Sequence, residues 1–168
     1  NFSTAASSYN TAIGHGAGAA VTTGTAQVLI GALAGDSITD ADYNVVVGVG
    51  ALTNDTLGSR SVAIGHQALS AQNFTSAAIS YNTAVGYDAG ANVTTGTSNT
   101  LLGYGSGDAL TVGYFNTAIG TQTLSTDTQG NKSTAIGYAA LGLQNFTSAT
   151  DTYNTAIGHV AGGSLTTG

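Results

Sequence analysis

One glycine recurs along the chain at fixed spacing, and this spacing constrains the fold more than any other feature. The glycine closes a short phrase of the form x-A-I-G, and successive copies lie 17, 17, 17, 21, 17, 17, 17 and 21 residues apart. Four units therefore make a block of 72 residues, and the last unit of each block is four residues longer. The nine glycines are Gly14, Gly31, Gly48, Gly65, Gly86, Gly103, Gly120, Gly137 and Gly158.

A 17-residue unit fits one turn of a β-solenoid, which needs two short strands and two bends. The chain contains no proline and no apolar period of 3.6 residues, so the pattern does not predict helices. The sequence therefore predicts an all-β fold, a parallel β-roll or β-solenoid of about nine coils.

The domain organisation follows from the same period. We interpret residues 1–168 as a single repeat array, with partial repeats at 1–8 and 153–168 and complete blocks at 9–80 and 81–152. Because the array begins and ends inside a repeat, we expect a fragment of a longer chain.

The residue four positions before each glycine is most often asparagine. In a stacked solenoid these side chains lie about 4.8 Å apart, and we expect them to form a hydrogen-bonded ladder. The glycine either supplies a positive φ or allows a close backbone approach, and the sequence leaves both open. The predicted ladder consists of Asn10, Asn44, Asn82, Asn116 and Asn154 with Gly14, Gly48, Gly86, Gly120 and Gly158.

The three residues before the glycine form the predicted strand. Its first and third residues, Thr or Val and then Ile, Val or Leu, share one face, and the central residue, mostly Ala, lies on the other. We expect the Thr/Ile face to fill the solenoid interior and the Ala face to point outward. A strand that is apolar on both faces is usually buried on both, so we also expect several chains packed side by side.

Composition excludes several classes of function. The net charge is −6, and Arg60 and Lys132 are the only basic residues, so the chain lacks the clustered cations that nucleic-acid binding needs. No apolar run is long enough to predict a membrane span. The hydrophobic share of 42% and its regular recurrence argue against a disordered low-complexity segment.

Two phrases carry a family resemblance: S-V-A-I-G-H-Q-A-L at 61–69 and S-T-A-I-G-Y-A-A-L at 133–141. They resemble the head repeats of trimeric autotransporter adhesins and are similar to the N-T-A-I-G repeats of some phage tail fibres. The resemblance covers all nine units. It implies a left-handed parallel β-roll, three chains in one trimer, and a role in surface attachment. The chain departs from the family in its 17-residue units, which are longer than usual, and in its regular four-unit block.

The charged residues recur with the block period, which is typical of structural positions. Arg60 and Lys132 follow Asp55 and Asp127 by five residues in each case, and we expect two surface ion pairs worth about 0–1 kcal/mol each.

No residue set indicates catalysis, a metal site or a cofactor. The stretch G-D-S-I-T-D-A-D at 35–42 gathers three Asp that could serve Ca²⁺, but the equivalent 107–114 keeps only one, which favours a solvated loop. His15, His66 and His159 follow the repeat glycine at a position that holds Tyr in three other units and Ala32, Val49 or Thr121 in the rest, which predicts an exposed or semi-exposed stack of rings. We therefore do not expect an enzyme.

Six sequons of the form N-x-[ST] are candidate glycosylation sites. Three of them open the long units, where the extra residues must bulge outward, and these loops are the best acceptors if the chain passes through a glycosylating pathway. The six are Asn1, Asn54, Asn73, Asn92, Asn131 and Asn145.

Two hypotheses for function follow. The first is a structural fibre shaft or head of an extracellular adhesin or phage tail fibre, a homotrimer on the cell surface or the virion that attaches to a cell-surface glycan or protein receptor. The alternative is a subunit of a homopolymeric, glycosylated extracellular filament that acts as a scaffold or coat and has no receptor.

Overall fold

The computed structural model describes residues 8–168. This part of the chain contains thirteen short strands, joined by turns and bends, and no helix. In consequence, this part of the chain has no helix that is long and apolar enough to cross a membrane. The strands are β1 (Thr11–Ile13), β2 (Val28–Ile30), β3 (Val45–Val47), β4 (Gly58–Ser59), β5 (Val62–Ile64), β6 (Ala78–Ile79), β7 (Thr83–Val85), β8 (Thr100–Leu102), β9 (Thr117–Ile119), β10 (Gly130–Asn131), β11 (Thr134–Ile136), β12 (Thr150–Asp151) and β13 (Thr155–Ile157).

Nine of these strands form one parallel sheet in the order β1-β2-β3-β5-β7-β8-β9-β11-β13. The register advances by one repeat unit per strand: Ile13 pairs with Ile30 one short unit on, whereas Ile64 pairs with Val85 across a long unit. Each long unit adds a second small parallel pair, β4 with β6 and β10 with β12. The predicted all-β parallel β-solenoid of about nine coils is confirmed.

The repeat glycine has both a positive φ and a close backbone contact, the two alternatives that the sequence left open. All nine have φ between 125° and 145°, a region that is essentially restricted to glycine. A Cβ placed on Gly103 would lie 2.6 Å from the carbonyl oxygen of Gly120, the next glycine in the column. Positive φ and close backbone approach therefore coincide at the same residue, which explains why no unit substitutes it.

The predicted orientation of the strands is wrong. The central strand residues point into the coil, where Val46, Ala63 and Ala84 are fully buried, and the flanking Thr, Val and Ile side chains are half-buried on the outside. The reason is that the ladder position shares a face with the central residue, and its amide is needed inside the coil as a hydrogen-bonding group. We call the solvent-facing side of the nine-stranded sheet the outer face.

The core is filled by side chains that compensate one another in size. The position four residues after the repeat glycine is either Gly or Leu, and four of its five glycines lie against a strand leucine, Leu29 or Leu101. A Cβ on Gly90 or Gly107 would lie 2.6 or 2.7 Å from the side chain of Leu101, which therefore fills the core of two coils. Tight packing of this kind makes each coil depend on its neighbours.

Candidate functional site

The predicted asparagine ladder exists, but its hydrogen bonds join side chain to backbone. Asn82 accepts a hydrogen bond from the backbone N–H of Asn99 one coil on (3.0 Å). Its Nδ2 donates to the carbonyl oxygen of Gly96 at the far end of its own coil (2.7 Å). The same donation to a turn glycine is made by Asn10, Asn44, Asn116 and Asn154. Each asparagine thus braces its own coil, and those at 10, 44, 82 and 116 also accept from the backbone of the next.

A buried polar network joins each long unit to the short unit before it. Asp55 is fully buried and accepts hydrogen bonds from the backbone N–H groups of Gly58 (3.1 Å) and Phe74 (3.0 Å) and from Gln72 Nε2 (2.6 Å). Asp127 has the same surroundings in the second block, with Gln144 in place of Gln72. The carboxylate is thus balanced by three donors rather than by a cation, which is how buried polar groups are normally tolerated.

The glutamine links this network to the ladder. Gln72 also donates to Ser61 Oγ (2.9 Å) and accepts from Asn82 Nδ2 (2.9 Å). Ser61 occupies the ladder position of its own unit, where a serine leaves room for the glutamine. The network has a structural role: its hydrogen bonds hold the long unit against the neighbouring coils.

The expected ion pairs of Arg60 with Asp55 and of Lys132 with Asp127 are wrong. Both aspartates point into the coil, whereas both cations lie on its surface, because a separation of five residues around a turn places the two side chains on different sides. Lys132 Nζ instead contacts Asp151 Oδ2 at 2.6 Å. The hydrogen bond from Lys132 lowers the pKa of Asp151, and the same bond raises the pKa of Lys132.

Both cations lie in a column of exposed aromatic rings. The Arg60 cluster comprises Tyr43, Arg60 and Tyr81, with the guanidinium carbon 5.6 Å and 5.9 Å from the two ring centres. The tyrosines are 54% and 56% exposed, so most of this surface faces solvent. Cation–π contacts of this length stabilise an exposed pair by about 0.5–1 kcal/mol.

The Lys132 cluster is its equivalent one block later and comprises Phe115, Lys132, Asp151 and Tyr153. Lys132 Nζ lies 5.1 Å from the ring centre of Tyr153 and 3.3 Å from its hydroxyl oxygen. Residues in this column adopt φ between 51° and 64°, although only a few per cent of non-glycine residues have positive φ. The left-handed backbone turns these side chains out of the coil.

Two of the three histidines stack on tyrosine as the sequence predicts. The rings of His66 and Tyr87 are 4.8 Å apart and nearly parallel, and Tyr138 stacks on His159 at 5.2 Å. The structure does not place His15 in a comparable stack. This second aromatic column borders the outer face on the side opposite the cation column.

The aspartates at 35–42 do not converge on a common point. Asp36 accepts a hydrogen bond from Thr53 of the following coil, whereas Asp40 and Asp42 accept from Thr23 and Thr25 of the preceding coil. Within residues 8–168 no group of three or more His or Asp side chains could hold a metal ion. Each aspartate instead ties two coils together.

Burial raises the pKa of Asp108, and the nearby charge of Asp88 raises it further, against hydrogen bonds from backbone N–H groups that lower it. Each of these two aspartates has one carboxylate oxygen that is buried without a hydrogen-bond partner. This is the least satisfied polar position in the described part of the chain.

The sequons differ in accessibility. Asn73 and Asn145 are exposed at the start of the long loops, and their Nδ2 groups make no hydrogen bond within residues 8–168. Asn54 and Asn92 are exposed as well, but each Nδ2 donates to a backbone carbonyl of the next coil (2.7 Å). Asn1 lies outside the described residues.

Asn131 is the exception among the sequons. It is 1% exposed, its Oδ1 accepts from the backbone N–H of Tyr114 (3.1 Å) and its Nδ2 donates to Asp151 (3.3 Å). A glycan on this nitrogen would require the local structure to open, so the geometry argues against this acceptor.

The fold and its surface define a parallel β-solenoid with two exposed aromatic columns and one bulged loop per block. Comparisons with protein-family models, curated proteins and solved structures find no match to the chain. Assignment of function therefore rests on the geometry.

Sequence reasoning missed the buried networks and the cation clusters. The signal for the first was the position seven residues after the glycine, which holds Val21, Ile38, Asp55, Gln72, Val93, Leu110, Asp127, Gln144 and Leu165. A column that is mostly apolar but contains Asp followed by Gln at the same place in both blocks indicates a buried polar pair. The signal for the second was the alternation of Tyr, Arg and Tyr in a single column.

Proposed function

We propose that this solenoid is the shaft or head of an extracellular attachment fibre, assembled as a homotrimer. The observation that carries the proposal is the outer face, which presents Val, Ile, Leu and Thr side chains in two columns along nine strands. Contiguous apolar surface on this scale marks interaction sites in soluble proteins. The expectation of chains packed side by side thus remains, but with the Thr/Ile face in the interface instead of the Ala face.

The resemblance to autotransporter heads and phage tail fibres supports the trimer and left-handed winding. The two bulged loops support attachment, because loops positioned by a rigid scaffold commonly carry binding function. They recur one block apart, or about 19 Å along the solenoid at about 4.8 Å per coil. Attachment would be to a cell-surface glycan or protein, with the fibre on a cell surface or a virion.

The oligomeric state tests the proposal most directly. Ile64 lies at the centre of the outer face and is half-buried in the single chain. We expect native mass spectrometry of the 168-residue chain to give a trimer, and Ile64→Lys to give monomers because a buried interfacial charge is costly. Thr95→Lys adds the same charge at an exposed turn and serves as the control. A monomeric mass for the unmodified chain at micromolar concentration would contradict the trimer.

The alternative of a glycosylated filament subunit is favoured by one observation: Asn73 and Asn145 are exposed, and their Nδ2 groups make no hydrogen bond to residues 8–168. Peptide mass mapping of protein from its native source distinguishes the two functions when combined with binding to whole cells. Glycans at both residues and no binding would support the filament. Saturable binding of the recombinant protein would support the attachment fibre.

A further inference from the structure

The Arg60 and Lys132 clusters are related by the 72-residue block, but within residues 8–168 only the Lys132 cation makes an ion pair with a carboxylate. Asp151 of β12 pairs with Asn131, and the equivalent register position in β6, paired with Ser59, is Ile79. The cation and its column neighbours correspond, with Tyr or Phe on one side of the cation and Tyr on the other, whereas Tyr114 and Asn131 of the second block correspond to Asp42 and Ser59.

The Lys132 cluster shows what this position does when it carries a carboxylate. Asp151 accepts hydrogen bonds from Lys132 Nζ (2.6 Å), Tyr153 Oη (3.2 Å) and Tyr114 Oη (3.3 Å). Asn131 Nδ2 adds a fourth donor at 3.3 Å. The Lys132 cluster thus binds a carboxylate, and this carboxylate is the chain's own Asp151.

The Arg60 cluster has no such internal carboxylate. Within residues 8–168 no acidic side chain lies within 4 Å of the guanidinium, and residues 1–7 contain no acid. Among the described residues, the one side-chain hydrogen bond of Arg60 is a long one from Nη1 to the hydroxyl of Tyr81 (3.4 Å). Most of its five donors therefore face solvent, between two exposed tyrosine rings and beside Ile79, which is 46% exposed.

We propose that the Arg60 cluster binds an acidic saccharide through its carboxylate, which deepens the attachment function proposed above and rests on it. A planar guanidinium binds a carboxylate with two parallel hydrogen bonds, and the two tyrosine rings hold the guanidinium in place. Tyr43, Tyr81 and Ile79 supply flat apolar surface for the C–H groups of a pyranose ring, while the tyrosine hydroxyls remain available to its hydroxyl groups.

The charge of the chain narrows the ligand further. The chain has a net charge of −6, so its surface repels densely anionic polymers. A single arginine without an internal carboxylate therefore suits an isolated acidic sugar, such as the terminal residue of a glycan. A simple inorganic anion would use the guanidinium but would gain nothing from the aromatic rings.

Titration of the intact chain with sialyllactose, followed by NMR of the tyrosine and arginine side-chain signals, tests the inference. Lactose is the neutral control and acetate the anion control. We expect the signals of Tyr43, Arg60 and Tyr81 to shift with sialyllactose only. Arg60→Gln should weaken binding about tenfold or more, because one charge-assisted bidentate contact is lost. Lys132→Gln, the matched change in the occupied cluster, should leave binding unchanged.

Exchange of the residues at the equivalent positions 79 and 151 gives a sharper test. Ile79→Asp should supply an internal carboxylate and abolish sialyllactose binding, whereas Asp151→Ile should expose Lys132 and create a second, weaker site. Unfolding curves of all four variants show whether they remain folded. Equal binding of lactose or acetate, or binding that survives Arg60→Gln in folded protein, would overturn the inference.

The two proposals can fail separately. A chain that is trimeric and binds cells equally well with Arg60→Gln leaves the attachment fibre intact but refutes this site. A monomeric chain whose sialyllactose binding depends on Arg60 retains the site and refutes the trimeric fibre.

Discussion

At the residue scale, Ser106 is a polar side chain at an apolar position. It is fully buried in a column that holds alanine in most coils, and its hydroxyl makes no hydrogen bond. Ser106→Ala should therefore raise the free energy of unfolding by about 1–2 kcal/mol, because a buried unsatisfied hydroxyl is removed. Urea denaturation measures the change.

Thr123 gives the matched control for Ser106. It occupies the same position one coil on, is equally buried, and donates from Oγ1 to the carbonyl oxygen of Gly120 (3.0 Å). Thr123→Ala should lower stability by about 1 kcal/mol or more, because a satisfied hydrogen bond and a methyl group are lost. Two changes of the same sign would contradict this account.

Asp108 makes stability depend on pH. Burial raises its pKa above the ordinary value, so the folded chain holds this proton over a range where the unfolded chain has released it. Stability is therefore lost as pH rises from the unfolded pKa through the raised folded pKa, and the loss is complete above it.

Asp108→Asn should accordingly be more stable than the parent at about pH 7, with the difference disappearing at about pH 3. The block counterpart Asp36→Asn is the control, since the Asp36 carboxylate accepts a hydrogen bond from Thr53 that the amide would weaken. Urea titrations at several pH values measure both variants. A gain for Asp108→Asn that persists at low pH would show that charge is not the cause.

At the scale of the element, the end of each strand depends on the repeat glycine. Gly103→Ala would place a methyl group 2.6 Å from the carbonyl oxygen of Gly120 at φ 131°, and should cost about 2–4 kcal/mol. Gly50→Ala is the control: its φ is 64°, Leu33 and Ala139 at the same position of other coils have φ of 58° and 50°, and the nearest atom is 3.7 Å away. It should change stability by less than about 1 kcal/mol. Similar losses for both would refute the steric argument.

The strands could be located from sequence, but their orientation could not. The period fixes which residues pair, so that Val62 pairs with Thr83 across a long unit as well as Thr83 pairs with Thr100 across a short one. Alternation also places Asn82 and Ala84 on one face, yet only the structure shows the carbonyl oxygen of Gly96 that makes an inward amide favourable. From side-chain size and hydrophobicity alone, the Ile side chains are the expected core and the smaller Ala side chains the expected surface.

The candidate sites show the same limit. The long loops and their exposed Asn73 follow from the four extra residues of the unit. The pairing of Asp55 with Gln72 and of Lys132 with Asp151 joins residues 17 and 19 apart. Asp55 and Gln72 are separated by one ordinary unit, so their column in the repeat indicates the pair. The contact of Lys132 with Asp151 instead depends on how the long unit folds back beside its neighbour, and periodicity does not fix the path of the insertion.

At the scale of the whole molecule, stability should be nearly additive over coils, because each coil contacts only its neighbours. Deletion of residues 81–152 removes one 72-residue block and joins Ser80 to Tyr153, which has the same local sequence as Tyr81. The remaining 168 − 72 = 96 residues should form a five-coil solenoid with the same circular dichroism per residue. Its urea m-value should fall to about five-ninths of the parent value, since less surface is exposed on unfolding.

Deletion of 81–156 tests whether the phase of the repeat, rather than chain length, determines this result. It removes four residues more and with them Asn154 and the first two residues of β13, so that 78–80 would have to supply the ladder position and the start of the strand. Ala78 cannot replace the asparagine that braces the coil, and Ser80 would enter the buried column. We expect this variant to lose its last coil and to unfold at lower urea concentration. If the two deletions were equally stable, the 72-residue block would not be the structural unit.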